Sequence, residues 1–201
     1  MTVNARISGT SGYGNSRSKS DKLIIALSVA GMALGALVML GWLIRVPLLI
    51  QVFPGYVPMQ FNTALCMLLL NCSLLLICYE RNKAAMALSV LITAIGLLTL
   101  LQYLFGINLG IDELLMDAYI TTQSSNPGRM APNTALCFLF GAINTGLLSR
   151  QSDNQKLIST CSILATLIAG LGIIAFTGYL LGIENTYGWG DLTRMAVHTA
   201  T

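Results

Sequence analysis

Residues 157–182 read LISTCSILATLIAGLGIIAFTGYLLG, which is a run of 26 residues without a charged side chain. About 20 apolar residues are enough for an α-helix to cross the hydrocarbon core of a bilayer. Within lipid the backbone must satisfy its own hydrogen bonds, and a barrel strand would need alternating polar and apolar residues, which this run lacks. The run therefore predicts a transmembrane helix.

Four further runs are similarly long and apolar. Of the 201 residues, 55% are hydrophobic and only 9% are charged, whereas a soluble domain carries about 25% charged residues. This composition excludes a soluble, a disordered or a disulfide-stabilised chain. We expect an all-α polytopic membrane protein with five transmembrane helices, at about residues 23–45, 61–79, 84–105, 131–149 and 157–182.

The basic residues predict the orientation of the chain. Residues 1–22 are polar and carry the whole net charge of +3, so we expect a disordered cytoplasmic tail followed by a membrane-embedded domain over residues 23–201. Lys and Arg divide eight to three between the two sides, and the richer side is the cytoplasmic one. The predicted location is a bacterial inner membrane, with anionic lipid headgroups rather than nucleic acid as the partner of the tail.

Several features of the runs and loops predict local contacts. The pattern Gly31-x-x-x-Gly35 is a candidate dimer interface. Asn71 and Asn144 lie within apolar runs and are expected to bond to neighbouring helices. In the outer segment at 106–130, the apolar residues of 109–120 suggest a short interfacial helix.

An internal repeat organises the chain. Residues 59–64, 130–135 and 195–200 share the pattern Met-x-x-(Asn/His)-Thr-Ala, which we call the motif. Each copy follows an outward helix and an outer segment and opens an inward helix. The sequence thus predicts three repeated helical hairpins, of which the third is incomplete because its inward helix is missing. We expect a longer protein or a truncated gene product, and partner helices or a homo-oligomer that complete the sixth helix.

The motif permits two interpretations. In the first, its Asn and Thr side chains cap the inward helices and its small residues allow close packing. In the second, the three copies converge on one ligand-binding site, with the single histidine as a metal or haem ligand beside soft methionine sulfurs. The candidate ligand-binding residues are Asn62, Asn133, His198, Met59, Met130 and Met195. No motif predicts catalytic residues or a particular cofactor.

The motif segments also resemble a known kind of module. Residues 57–66 (VPMQFNTALC) and 128–139 (GRMAPNTALCFL), with 194–200 (RMAVHTA), resemble the multi-pass N-terminal sensor region of bacterial histidine kinases and GGDEF diguanylate cyclases. The resemblance covers about residues 23–201 and implies a sensory input role without an assigned stimulus. Output domains are absent from the sequence.

Two functions follow as hypotheses. The first is a membrane-embedded sensory input module of a signal-transduction protein, not itself an enzyme, with any kinase or cyclase domain lying in a longer protein. The second is a small integral membrane subunit that packs in a larger complex without a sensing role. The reading frame beyond Thr201 would discriminate between them.

Overall fold

A computed structural model of the chain describes residues 19–53, 55–122, 124–152, 154–189 and 192–200. These residues form helices joined by turns and irregular segments, and they contain no β-strand. Two short 3₁₀ helices, Pro47–Leu49 and Glu184–Thr186, lie in the segments that precede residues 59–64 and 195–200. The α-helices are α1 (Lys19–Leu43), α2 (Phe61–Cys78), α3 (Asn82–Phe105), α4 (Pro132–Leu148), α5 (Gln155–Leu181) and α6 (Val197–Ala200).

Each predicted apolar run forms a helix. Four of these helices, α1, α2, α3 and α5, are long and apolar enough to cross a membrane, whereas α4 is apolar but has only 17 residues. Because α1 begins at Lys19, residues 19–22 belong to this helix and not to the predicted tail. The rest of the tail, residues 1–18, lies outside the described residues.

The helices pack as neighbouring hairpins. The closest pairings are α1 against α2 and α3 against α4, and α2 also contacts both α3 and α4. Gly31 and Gly35 face α2 of the same chain: a Cβ at Gly31 would lie 2.5 Å from the amide nitrogen of Asn71, and one at Gly35 would lie 2.8 Å from the carbonyl oxygen of Ala64. The face predicted as a dimer interface is therefore occupied by α2 within the chain.

Helices α1, α3 and α5 end in the same way. A left-handed residue lies one residue beyond α3 and α5 and two residues beyond α1, and the N–H of the residue after it donates to a carbonyl five residues earlier, as in a Schellman cap. Glycine fits this conformation without strain, and the first helix uses an arginine instead. The left-handed residues are Arg45 (φ 57°), Gly106 (φ 63°) and Gly182 (φ 69°). The N–H···O distances are 2.9 Å from Val46 to Gly41, 3.2 Å from Ile107 to Gln102, and 2.9 Å from Ile183 to Gly178.

The segment between α3 and α4 contains no regular helix in its described part, so the interfacial helix expected over 109–120 does not form. A buried ion pair organises this segment instead: Arg129 Nε lies 2.7 Å from Asp112 Oδ2. Gln102, at the end of α3, donates to Asp112 at 3.0 Å and accepts from Arg129 at 3.2 Å. These polar contacts compete with the local helix, since they fix Asp112 to the end of α3, where Gln102 Oε1 also accepts from the Leu109 N–H at 2.8 Å.

Candidate functional site

The three motif segments are held by equivalent hydrogen bonds. In each, the carbonyl oxygen of the motif methionine accepts a hydrogen bond from an aromatic side chain near the end of the preceding long helix, α1, α3 or α5. The bonds run from Trp42 Nε1 to Met59 (2.8 Å), from Tyr103 Oη to Met130 (3.0 Å), and from Tyr179 Oη to Met195. Each bond satisfies a buried or half-buried acceptor just before α2, α4 or α6 begins, and so fixes where that helix starts.

A glycine lies seven residues before each of these aromatic residues. It faces the carbonyl oxygen of the motif alanine, so the two backbones approach closely, as small residues allow in membrane helices. A Cβ would lie 2.8 Å from Ala64 O at Gly35, 3.1 Å from Ala135 O at Gly96, and 3.3 Å from Ala200 O at Gly172. The same pair of contacts thus occurs three times, between α1 and α2, α3 and α4, and α5 and α6.

The three helix starts surround one small cavity. Its volume is about 10 Å³, which is room for one water molecule or one ion of similar size. The threonine of every motif copy lines it, as Thr63, Thr134 and Thr199. Gln60 and Arg194 complete its polar wall.

The polar groups around this cavity are not all satisfied within the chain. Gln60 is only 2% exposed; its Nε2 donates to Ser124 Oγ at 3.1 Å, but its buried Oε1 has no hydrogen-bond partner. No side chain caps the start of α2, so the N–H groups that a helix leaves without partners at its start receive no cap there. In α4 the first residue, Pro132, has no N–H, and the Thr134 N–H is bonded to Asn133 Oδ1. The cavity therefore adjoins a partnerless polar atom and the uncapped start of α2.

The predicted ligand residues Asn62, Asn133 and His198 do not line this cavity. Asn133 is 3% exposed and donates from Nδ2 to the carbonyl oxygen of Tyr187 at 3.3 Å. Asn62 is buried, and its Oδ1 has no partner. Burial lowers the pKa of His198 below its ordinary value of 6.5. The capping interpretation holds for one motif asparagine, because Asn133 Oδ1 accepts a hydrogen bond from the Thr134 N–H at 3.0 Å.

The motif methionines fill three different parts of the core. Met59 packs with Trp42, Met130 with Phe138, and Met195 with Tyr187. The structure thus does not bring the three thioethers together as one soft metal site. Among the described residues, no three His, Cys, Asp or Glu side chains are grouped so that they could hold a metal ion.

Sequence reasoning missed the residues that share the cavity, although a signal was present. Threonine is the one polar residue identical in all three motif copies, whereas the predicted ligand residues occupy the variable Asn/His position. Gln60 carries no such signal, because the corresponding residues of the other copies, Ala131 and Ala196, are apolar.

No known protein family and no solved structure matches this chain. Two curated proteins match part of it: protein-glutamine gamma-glutamyltransferase 4 of Rattus norvegicus is 32% identical over 88 residues, and that of Mus musculus is 30% identical over 88 residues. The match covers 43% of this chain and 13% of either relative, so the chain spans about an eighth of their length. A match of this extent does not place the chain in their family.

Proposed function

We propose that this chain is the membrane-embedded sensory input module of a bacterial signal-transduction protein. The observation that carries the proposal is the meeting of all three motif copies around one partly unsatisfied polar cavity. A polar group that lacks a hydrogen-bond partner within an apolar bundle costs folding free energy, and such groups often belong to functional sites. A ligand or a change of hydration there would act on three helix starts at once.

The proposal includes three repeated hairpins and five membrane crossings, with α4 as the fifth. The repeat is supported by the aromatic-to-methionine hydrogen bonds and by the glycine-to-alanine contacts, which recur at corresponding positions. The left-handed residues Arg45, Gly106 and Gly182 each lie three residues after the aromatic donor of their hairpin. Orientation rests on the Lys and Arg distribution, which favours a cytoplasmic N-terminus in a bacterial inner membrane.

In this proposal the chain transmits a signal and performs no catalysis. Occupancy at the motif end would shift an inward helix against its outward partner by a small displacement, which is a common mode of switching. A histidine kinase or diguanylate cyclase domain would read that shift in the cytoplasm.

A second candidate is a small membrane subunit of a larger complex, and the surface of α5 favours it. None of the apolar window of α5 is buried within the chain. A groove of about 530 Å³ runs beside it, lined by Gly172, Phe176, Cys137 and Ala200 among others. In the first two hairpins the corresponding glycine face is covered by α2 or α4. A partner helix or a second copy would cover the groove on α5.

Ligand binding by the whole chain in nanodiscs tests the sensory proposal. Mass spectrometry and absorption spectroscopy of the purified protein would first identify any bound small molecule, haem, metal or lipid. That molecule should raise the unfolding temperature of the wild type. Thr134→Val, which removes a hydroxyl from the cavity wall, should reduce or abolish the rise, while Ser159→Ala, an exposed change near the other end of α5, should leave it intact.

The opposite outcome supports the subunit. In that case no molecule stabilises the chain, its reading frame stops after Thr201, and the 201-residue protein elutes with a larger membrane complex. An in-frame helix followed by a kinase or GGDEF domain would instead support the sensory module.

A further inference from the structure

We propose that the groove beside α5 receives one further transmembrane helix, which continues α6. This helix would run antiparallel to α5, as α2 runs antiparallel to α1 and α4 to α3, and it would contact α4 on its other side. The inference rests on the repeated hairpins of the proposed function and not on its sensory role.

The contacts of the second and third hairpins place α3 and α5 in register. Gly96 and Gly172 each face the alanine of a motif copy, and Tyr103 and Tyr179 each donate to the methionine of the same copy. Both pairs are 76 residues apart. Every residue of α3 therefore has a corresponding residue on α5.

The stripe of residues that is buried on α3 is largely open on α5. On α3 the buried residues are Ala85, Ser89, Ile92, Gly96, Thr99 and Gln102. The corresponding residues of α5 are Cys161, Ala165, Ile168, Gly172, Ala175 and Gly178, of which only the last two are buried. The open part, from Cys161 to Gly172, extends about 17 Å along the helix axis, which about eleven residues beyond Ala200 would cover.

The groove contains one side of a cluster that is complete between the first two hairpins. The complete cluster consists of Cys66, Ile92, Met130, Ala135, Phe138 and Ala142. Cys66 and Ile92 are 0% exposed there, whereas the corresponding residues Cys137 and Ile168 line the groove and are only half-buried. Met195 and Ala200 take the places of Met130 and Ala135. Within the described part of the chain, the places of Phe138 and Ala142, three and seven residues beyond the motif alanine, have no corresponding residue.

A leucine that faces the hairpin glycine defines the fit more closely. It lies four residues beyond the motif alanine in both complete hairpins, as Leu68 and Leu139. A Cβ at Gly35 would lie 3.2 Å from Leu68 Cβ, and one at Gly96 would lie 3.6 Å from Leu139 Cβ. We therefore expect the added helix to carry a large apolar residue, a leucine and a small residue three, four and seven positions beyond Ala200.

The position of α6 selects a continuation of this helix over a separate one. In the complete hairpins the covering helix begins within the motif itself. In the third hairpin the motif segment already lies at that place, with Thr199 and Ala200 at the edge of the groove. A helix from a second copy or from another protein would have to begin beyond these residues, with its first N–H groups unsatisfied among apolar side chains, which is costly in a membrane. A continuation of α6 bonds those groups to the carbonyl groups of α6.

Extension of the whole chain by its own α4 sequence tests the proposal. Residues 136–150 are fused directly after Ala200, so that copies of Phe138, Leu139 and Ala142 follow at the required spacing. The unfolding temperature in nanodiscs should rise by at least about 5 °C, because the added helix packs against a face that is otherwise left to lipid. In the matched control, two alanines precede the same fused residues and rotate them by about 200°. This control should lose most of the gain.

A cross-link reports the register directly. In a background without other cysteines, Gly172→Cys is combined with a leucine-to-cysteine change in the fused copy of Leu139. The Cβ separation of 3.6 Å at the corresponding positions of the second hairpin is within the range of a disulfide, so oxidation should join the two within one chain. The alanine-shifted control should not cross-link. Native Cys137, with cysteine in the fused copy of Phe138, provides a second pair should Gly172→Cys fail to fold.

Three results would overturn the proposal. Equal unfolding temperatures with and without the extension, and no cross-link, would leave the groove to lipid. Equal gains from the direct and the shifted extension would contradict the register. A disulfide-linked dimer of the unextended chain through Ile173→Cys, which lines the groove and is 66% exposed, would identify a second copy as the occupant. None of these results bears on the sensory role, which stabilisation by a bound molecule tests separately.

Discussion

Arg129 is the clearest case of a single residue that orders a loop. Its side chain is 4% exposed and it cannot lose its charge in a protein. Asp112 neutralises it at 2.7 Å, and Gln102 and the carbonyl oxygen of Ile107 accept further N–H groups. The ring of Tyr103 lies 5.3 Å from the guanidinium. These contacts join the outer segment to the end of α3 and, through the next residue, Met130, to the start of α4.

Asp112→Asn should therefore destabilise the protein strongly. The variant leaves the Arg129 charge buried without its counter-charge, which typically costs about 3–5 kcal/mol of unfolding free energy. Thermal and denaturant unfolding in detergent, followed by circular dichroism, would measure the loss. Asp117→Asn, on the same segment but exposed, should change the free energy by less than about 0.5 kcal/mol. A wild-type unfolding curve for Asp112→Asn would show that the pair does not hold the segment.

Residue-level contacts were only partly predictable from the sequence. Asn71 was expected to bond to a neighbouring helix, but its Nδ2 donates to Met67 O of its own helix at 2.9 Å. Buried polar contacts between helices are instead made by small hydroxyl residues, such as Ser89 and Thr145, whose hydroxyls lie 2.8 Å apart. Small hydroxyl residues are common in apolar helices, and a single sequence does not say which of them face one another.

At the scale of the elements, the hairpins depend on glycines that admit a neighbouring backbone. Gly35, Gly96 and Gly172 occupy corresponding places, with progressively longer distances to the facing carbonyl oxygen. The existence of each helix was predictable, because a long apolar run in lipid has no other way to satisfy its backbone. The sequence did not predict which glycine faces which helix. It assigned the face at Gly31 and Gly35 to a dimer interface, although α2 of the same chain covers that face.

Substitution of these glycines by alanine should give a graded loss of stability. Gly35→Ala should cost the most, about 1–3 kcal/mol as for other overpacked sites. Gly96→Ala should cost less, and Gly172→Ala the least. Gly170→Ala is the control on α5, because no atom outside its local helix lies within 4 Å of the added Cβ; it should be neutral or slightly stabilising. Equal losses at all four positions would show that helix propensity, and not close approach, sets the cost.

At the scale of the whole molecule, the all-α apolar bundle followed from composition and run length, whereas the meeting point of the motif copies did not. Sequence spacing placed Asn62, Asn133 and His198 at equivalent positions but could not say how the hairpins rotate against one another. The structure turns the threonines, one residue further along the chain, toward the shared cavity. A difference of one residue is 100° on a helix, which suffices to exchange one face for another.

The number of membrane crossings is four or five, depending on whether α4 crosses the membrane. Its 17 residues span about 26 Å, slightly less than a hydrocarbon core of about 30 Å, and local thinning of the bilayer accommodates such a mismatch at modest cost. The basic residues Arg150 and Lys156 follow α4, as expected for a cytoplasmic turn. We therefore expect α4 to cross the membrane.

Cysteine labelling in a background without the five native cysteines measures the crossings. An impermeant maleimide should label Leu114→Cys, which is 73% exposed in the outer segment, in intact spheroplasts. Ser11→Cys in the tail and Ser152→Cys in the turn after α4 should react only after lysis. If Ser152→Cys reacts from outside while Ser11→Cys does not, α4 fails to cross. Reaction of Ser11→Cys from outside would contradict the predicted orientation, because the side with eight of the eleven Lys and Arg residues would then face away from the cytoplasm.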